Sequence, residues 1–219
     1  MVAVDPTPPE PPRDCGLCPR LRAFVLDART AEPSWHNAPV ASFGDDSARL
    51  LIVGLAPGLT GANRTGRPFT GDHAGELLYS TLLKHGLAHG RYAARPDDGL
   101  ELVDCMITNA VRCVPPQNKP APAEIRTCNA FLAARIGTLS RLKIIVALGR
   151  IAHDATLTAL AVRKSSYPFS HGARHDLPMG LALFDSYHCS RYNTNTGVLT
   201  PAMFDAVFAA AKQSMNAGV

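Results

Sequence analysis

The chain has no apolar run approaching the ~18–20 residues of a membrane span, so none of its 219 residues is expected to lie in a transmembrane helix. Its start, MVAVDPTPPEPPRD, is acidic and proline-rich, without a basic opening or an apolar stretch. A signal peptide is therefore not expected, and a cytoplasmic location is. A GK[ST] ending and a clean GxGxxG are both missing, which speaks against a nucleotide enzyme built on either phosphate loop. No internal repeat is visible. Lysine is scarce: 17 of the 22 basic residues are arginine. What remains is 46% hydrophobic and 18% charged, the composition of a folded domain and not of a disordered chain.

The net charge of +4 is unevenly spread. Residues 1–105 carry 10 Lys and Arg against 13 Asp and Glu, whereas residues 106–219 carry 12 against 5. An arginine-rich second half suits phosphate oxygens and is compatible with nucleic acid, although a GC-rich coding sequence would also favour arginine.

Six cysteines are present, and disulfides need an oxidising compartment for which no signal is seen. Cys15-Gly-Leu-Cys18 is a CxxC that can hold a metal from a tight turn. Cys113 and Cys128 flank the proline-rich VPPQNKPAPAE. Four thiolates from two distant segments would clamp the N-terminal region onto the domain. Spacing does not separate zinc from an iron–sulfur cluster, and a redox CxxC beside free thiols stays open. Cys105 falls in an expected strand and reads as a core thiol.

The first 13 residues read as a flexible tail, and 14–219 as one domain. A helix is expected from Pro19, with Leu21, Phe24, Val25 and Ala28 on one face. Buried strands are expected at Arg49–Pro57, Met106–Val111, Arg141–Gly149 and Leu181–His188. Helices are expected around Leu77–Leu83, over Ala121–Leu139 and Ile151–Val162, and from Pro201. Alternation of this kind argues for a parallel sheet covered on both faces by helices. Ligands then bind beyond the carboxyl ends of the strands, near Pro57, Arg112, Gly149 and His188.

Three segments carry chemistry. Gly54-LAPGLTGANRTGRPFTG-Asp72 holds five glycines in 19 residues, which lets backbone approach a flat or anionic ligand. Within it, Phe69 either stacks on a base or plugs the core. Asp72 suits a helix N-cap and a catalytic carboxylate equally. In Tyr187-HCSRYNTNT-Gly197, His188 stands at a strand end and can donate to a polarised carbonyl. Ser190, Arg191 and Asn193 follow on a loop that could press on a DNA backbone. In Pro115-PQNK-Pro120, Asn118 offers the donor and acceptor that complement a base edge, or serves as a turn residue.

Together, GLAPG…GANRTGRPFTGD, TNAVRCVPPQNKP and YHCSRYNTNTG, with Cys15-x-x-Cys18-Pro-Arg-Leu, resemble the iron–sulfur uracil-DNA glycosylases of family 5. The resemblance runs from Asp14 to the last helix. It implies a three-layer α/β/α sandwich around a four-stranded parallel sheet. It also implies a [4Fe–4S] cluster on Cys15, Cys18, Cys113 and Cys128. The implied activity is excision of uracil from DNA, with hypoxanthine, xanthine and ethenocytosine as further substrates. Asp72 matches the residue that positions the attacking water, Asn118 the asparagine of base recognition and catalysis, and His188 the histidine on the uracil carbonyl. Phe69 matches the aromatic that stacks on the flipped base. Leu55 stands after Gly54, where other glycosylase families place a polar residue, and with Gly54 is expected to face the base. Cys189 is a departure, since relatives commonly carry an apolar residue there.

The motifs place no lysine as an amine nucleophile except Lys119, so a monofunctional hydrolase without lyase activity is expected. Its partner is DNA containing uracil or damaged bases, with no membrane contact, and the protein is expected to be a monomer. The alternative is a DNA-damage-binding module without turnover, which Asp72 and His188 together speak against.

Overall fold

In the computed structural model, which describes residues 8–217, the expected buried runs are strands. The chain opens with α1 (Pro19–Ala31), a two-residue β1 (Phe43–Gly44) and β2 (Leu50–Gly54). A one-turn α2 (Ala62–Thr65) and α3 (His73–Lys84) follow, then the short β3 (Ala88–His89) and β4 (Glu101–Leu102). Next come β5 (Cys105–Asn109), α4 (Pro122–Thr138), β6 (Ile144–Leu148) and α5 (Arg150–Ala159). The chain ends with β7 (Arg174–Leu177), β8 (Leu181–Ser186), α6 (Arg191–Asn195) and α7 (Pro201–Ala217).

The main sheet has the order β1-β5-β2-β6-β8-β7. Strands β5, β2, β6 and β8 are mutually parallel, and β1 and β7 run antiparallel at the edges. The expected four-stranded sheet is therefore corrected to six strands. The four parallel strands are buried at every residue, whereas β7 has the mixed exposure of an edge. Buried parallel strands read as continuous apolar runs. Edge strands do not, and β7 (RHDL) carries no such signal.

Side-chain alternation divides the core between the two faces. Leu50 and Ile52 of β2 point into a cluster with Leu78 and Leu82 of α3 and Phe204 and Phe208 of α7. Leu51 and Val53 point the other way, against Leu132 and Ile136 of α4 and Ala152 of α5. The molecule is thus three layers deep, and each fully buried aliphatic side chain contributes roughly 1.5–3 kcal/mol. A third small cluster joins Leu21 of α1 to Val111, Cys128 and Phe131.

From β2 the chain crosses to β5 on one side, then returns past β2 to β6 on the other. In open α/β sheets such a reversal leaves a crevice at the carboxyl ends, here between Leu55 and Gly149. No helix among the described residues is long and apolar enough to cross a membrane.

Of the tail expected over 1–13, residues 1–7 lie outside the described residues. Among residues 8–13, Pro9, Glu10 and Pro11 are partly buried, whereas Pro8, Pro12 and Arg13 are exposed. The cause is electrostatic: Glu10 pairs with Arg112 at 2.8 Å and with Arg135 at 2.7 Å, two guanidiniums that are 1% and 8% exposed.

Candidate active site

A cleft of about 350 Å³ opens at the carboxyl edge of the sheet. Leu55 after β2, Gly149 after β6 and His188 after β8 line it, with Phe169 and Tyr187 as an aromatic wall. Gly149 has φ +98°, and a Cβ there would stand 3.3 Å from the His188 Cβ, so glycine gives His188 its place. The His188 ring lies parallel to that of Phe69, with centroids 6.2 Å apart and planes 28° apart. Desolvation lowers the His188 pKa to about 4, so the imidazole is neutral near pH 7.

Phe69 is 7% exposed and belongs to the core as well as to the cleft end of the sheet. Its ring rests on Gly54, where a Cβ would come within 2.5 Å of Phe69 Cζ and 2.4 Å of Asn109 Oδ1. Gly54 is therefore required for both neighbours. Asn109 ends β5, is 2% exposed, and its Oδ1 has no hydrogen-bond partner among the described residues. A buried idle acceptor is costly unless a ligand completes it. Sequence reasoning passed over this residue, although it stands in TNAVRC at a strand end beside the Gly-rich loop.

Asp72 is the N-cap of α3: its Oδ1 accepts the Gly75 N–H at 3.2 Å. The loop before it folds over the other oxygen. A Cβ at Gly61 would lie 2.5 Å from Asp72 Oδ2, and one at Gly58 3.1 Å away. Burial raises the Asp72 pKa above its ordinary value, against the lowering effect of the backbone donors. Cys189 is fully buried, and burial followed by the Asp72 charge pushes its thiol up to about 12. The unexpected fifth thiol is thus a core residue close behind Asp72.

The loop after His188 is tied down from both sides. Ser190 caps α6 by accepting the Asn193 N–H, and Asn193 Nδ2 donates to the His188 carbonyl at 2.8 Å. A 2.9 Å hydrogen bond between His73 Nε2 and Thr194 Oγ1 joins this loop to the start of α3. Ser190 and Asn193 thus hold the loop, while Arg191 is exposed and Tyr192 is 74% exposed beside it. Asn118 sits on an exposed turn, Pro116–Asn118, with φ +56°. Its side chain makes no hydrogen bond among the described residues.

Cys15, Cys18, Cys113 and Cys128 line one small apolar cavity between α1, α4 and the segment after β5. Cys105 and Cys189 lie elsewhere in the core. Among the described residues no three of the four sulfurs come within 4.8 Å of one another. A tetrahedral thiolate zinc with bonds of 2.3 Å would set its sulfurs about 3.8 Å apart, closer than these stand.

Below the aromatic wall lies a buried polar cluster. His153 Nδ1 and His175 Nε2 contact the two carboxylate oxygens of Asp185 at 2.7 and 2.9 Å, and His153 Nε2 contacts the Tyr167 carbonyl at 2.9 Å. These atoms lie close enough to suit a metal ion, but each is already engaged in a hydrogen bond.

The family model of the Uracil DNA glycosylase superfamily matches residues 41–212. A type-5 uracil-DNA glycosylase of Thermus thermophilus is 48% identical over 205 residues, covering 91% of this chain and 93% of its own. One of Mycobacterium leprae is 42% identical, covering 91% and 90%, and one of Pyrobaculum aerophilum 39% identical, covering 85% and 83%. The cleft, its glycine-supported histidine and aromatic, and these likenesses lead to one conclusion: the chain belongs to the uracil-DNA glycosylase superfamily, in its type-5 branch.

Proposed function

We propose that the protein is a monofunctional DNA glycosylase that hydrolyses the N-glycosidic bond of uracil in DNA. The observation that carries this reading is the grouping of Phe69, His188 and the idle Asn109 Oδ1 around the carboxyl end of β2. A duplex base must be extruded before a pocket can act on it. Phe69 offers a ring for the flipped base, and Asn109 Oδ1 an acceptor for the uracil imide N–H. As the sugar–base bond breaks, negative charge moves onto the base and positive charge onto the sugar. Neutral His188 donates a hydrogen bond to the uracil carbonyl, which strengthens as that charge grows. The Asp72 carboxylate orients the attacking water and stabilises the sugar cation.

Asn118, the asparagine the resemblance assigns to base recognition and catalysis, is exposed on its turn and meets the base only when DNA is bound; Arg191, also exposed, contacts the DNA strand, whereas Ser190 and Asn193 hold His188 in place. Leu55 gives the cleft an apolar wall that does not demand one pattern of base edge, which supports acceptance of hypoxanthine, xanthine and ethenocytosine. Cys15, Cys18, Cys113 and Cys128 are the ligands for a [4Fe–4S] cluster. That all four, and neither Cys105 nor Cys189, line one cavity supports this assignment. When bound, it supplies thiolate–iron bonds that cross-link the start of α1 to α4 and the segment after β5.

The test is incubation with uracil-containing duplex, followed by alkaline cleavage of the abasic product, on protein purified without oxygen. Cleavage at the uracil position and a broad visible absorption are expected. Tight binding without cleavage would overturn the reading in favour of a damage-binding module, and a colourless protein would remove the cluster.

A further inference from the structure

A second concave site is formed where the glycine-rich loop meets the segments after α1 and β3. It is a groove of about 480 Å³, lined by Trp35, His36, Arg64, Arg95, Arg13 and Asp97. Trp35 is half-buried and is the chain's one tryptophan. Arg13, Arg64 and Arg95 are exposed. One carboxylate faces them, that of Asp97, 3.5 Å from Arg95 Nε. The groove thus combines an aromatic face with an excess of guanidinium charge, the pairing by which proteins hold single-stranded nucleic acid.

Its walls are firmly mounted on the loop that carries Asp72. The His36 N–H donates to the Arg64 carbonyl and the Asn37 N–H to the Asn63 carbonyl, both at 3.0 Å. Beneath them Asn63 Nδ2 donates to Asn37 Oδ1 at 2.8 Å, and both asparagines are fully buried. Arg64 reaches back to Gly71, where a Cβ would lie 2.9 Å from its Nη2. The residue after Gly71 is Asp72. One end of the groove therefore abuts the catalytic loop.

We propose that this groove is a second DNA site, which holds a nucleotide of the substrate strand beyond the excised base. The base stacks on Trp35, and Arg64 and Arg95 hold the flanking phosphates, with Arg13 at the far end. The proposal rests on the glycosylase reading for its role, but its binding test does not depend on turnover. A phosphodiester strand fits better than a nucleoside monophosphate because three guanidiniums against one carboxylate line the groove, more than a single phosphate would engage.

Fluorescence of the full chain excited beyond the tyrosine absorption band reports on Trp35 alone, the chain's one tryptophan beside five tyrosines. Titration with a uracil-free single-stranded oligonucleotide is expected to change that signal saturably, with an affinity that weakens as salt rises. Thymidine 5′-monophosphate is expected to give at most a weak change at the same nucleotide concentration. Arg64→Gln and Arg95→Gln should each weaken oligonucleotide binding about 3–10-fold. Arg174→Gln, which removes one charge far along the chain on β7, should not. In excision assays on uracil-containing DNA, Trp35→Phe and Arg95→Gln should raise KM and leave kcat in place. An unchanged signal at saturating oligonucleotide, or equal binding by the Arg64 and Arg95 variants and the parent, would overturn the groove. A saturating free nucleotide would reassign it to a small ligand. Absence of uracil excision in a protein that passes the fluorescence test would instead overturn the glycosylase reading.

Discussion

Asp72 holds the end of a helix and, on the reading above, serves the reaction, and two substitutions separate the roles. Asparagine keeps an oxygen to accept the Gly75 N–H and caps a helix as well as aspartate does. Alanine does not. Both remove the charge, so the difference in stability between the two variants isolates the cap. That difference should be about 1 kcal/mol, or roughly 2–4 °C in melting temperature for a domain of this size. The charge acts in the other direction. Burial raises the Asp72 pKa, so the folded state binds the proton more tightly than the unfolded chain. Its contribution to stability therefore falls as pH rises from the ordinary aspartate range through the raised value. Asp72→Asn removes that cost and should melt no lower than the parent at pH 7. Excision should nonetheless slow roughly 10²–10⁴-fold, the range for loss of a group that activates water. Single-turnover excision from uracil-containing duplex and thermal melts in one buffer provide both readouts. An Asn variant within about threefold of the parent rate would remove Asp72 from the chemistry. Asn and Ala variants with the same melting temperature would remove the cap.

Gly54→Ala would drive a methyl group into Asn109 Oδ1 and the Phe69 ring. Overpacking of this kind costs about 1–3 kcal/mol, so denaturant melts should show that loss and excision should weaken through a raised KM. Arg67 and Asp98 form a two-pronged pair at 2.8 and 2.9 Å, with the side chain of Asp98 fully buried and Arg67 over the rings of Phe43, Tyr79 and Tyr92. The hydrogen bond from Arg67 holds the Asp98 carboxyl well below its ordinary range. The pair's contribution is therefore present above the ordinary aspartate pKa and fades as pH falls through the lower folded value. Asp98→Asn should cost about 3–5 kcal/mol at neutral pH and flatten the acid limb of stability in urea melts. An unchanged acid limb would show that the pair does not carry it.

The parallel strands were legible because burial on both faces makes each an unbroken apolar run, as in LLIV of β2 and IIVAL of β6. The edges were not. Strand β1 has two residues, and the RHDL of β7 alternates without an apolar face. Asp72 as a cap followed from its place before an apolar helix, and His188 and Phe69 from their motifs. Asn109 was hidden because its peculiarity is an unmet hydrogen bond, which exists only once Gly54 and Phe69 pack beside it. Glu10 makes a contact that its local sequence does not announce. A proline-rich, polar segment reads as loose, but the buried guanidiniums of Arg112 and Arg135, distant in sequence, draw it in.

The contacts of His153 tie the stability of the domain to pH. One ring nitrogen faces the Tyr167 carbonyl and the other an Asp185 oxygen, and neither partner can donate if the aspartate is ionised. Burial lowers the pKa of His153, but the hydrogen bond and charge of Asp185 raise it more, so the folded state binds this proton more tightly than the unfolded chain. The contribution of this contact is present below the ordinary histidine pKa and fades as pH rises through the raised value. The contact joins α5 to β8 three residues before His188. Raising the pH thus weakens a tie between α5 and the strand that leads to His188.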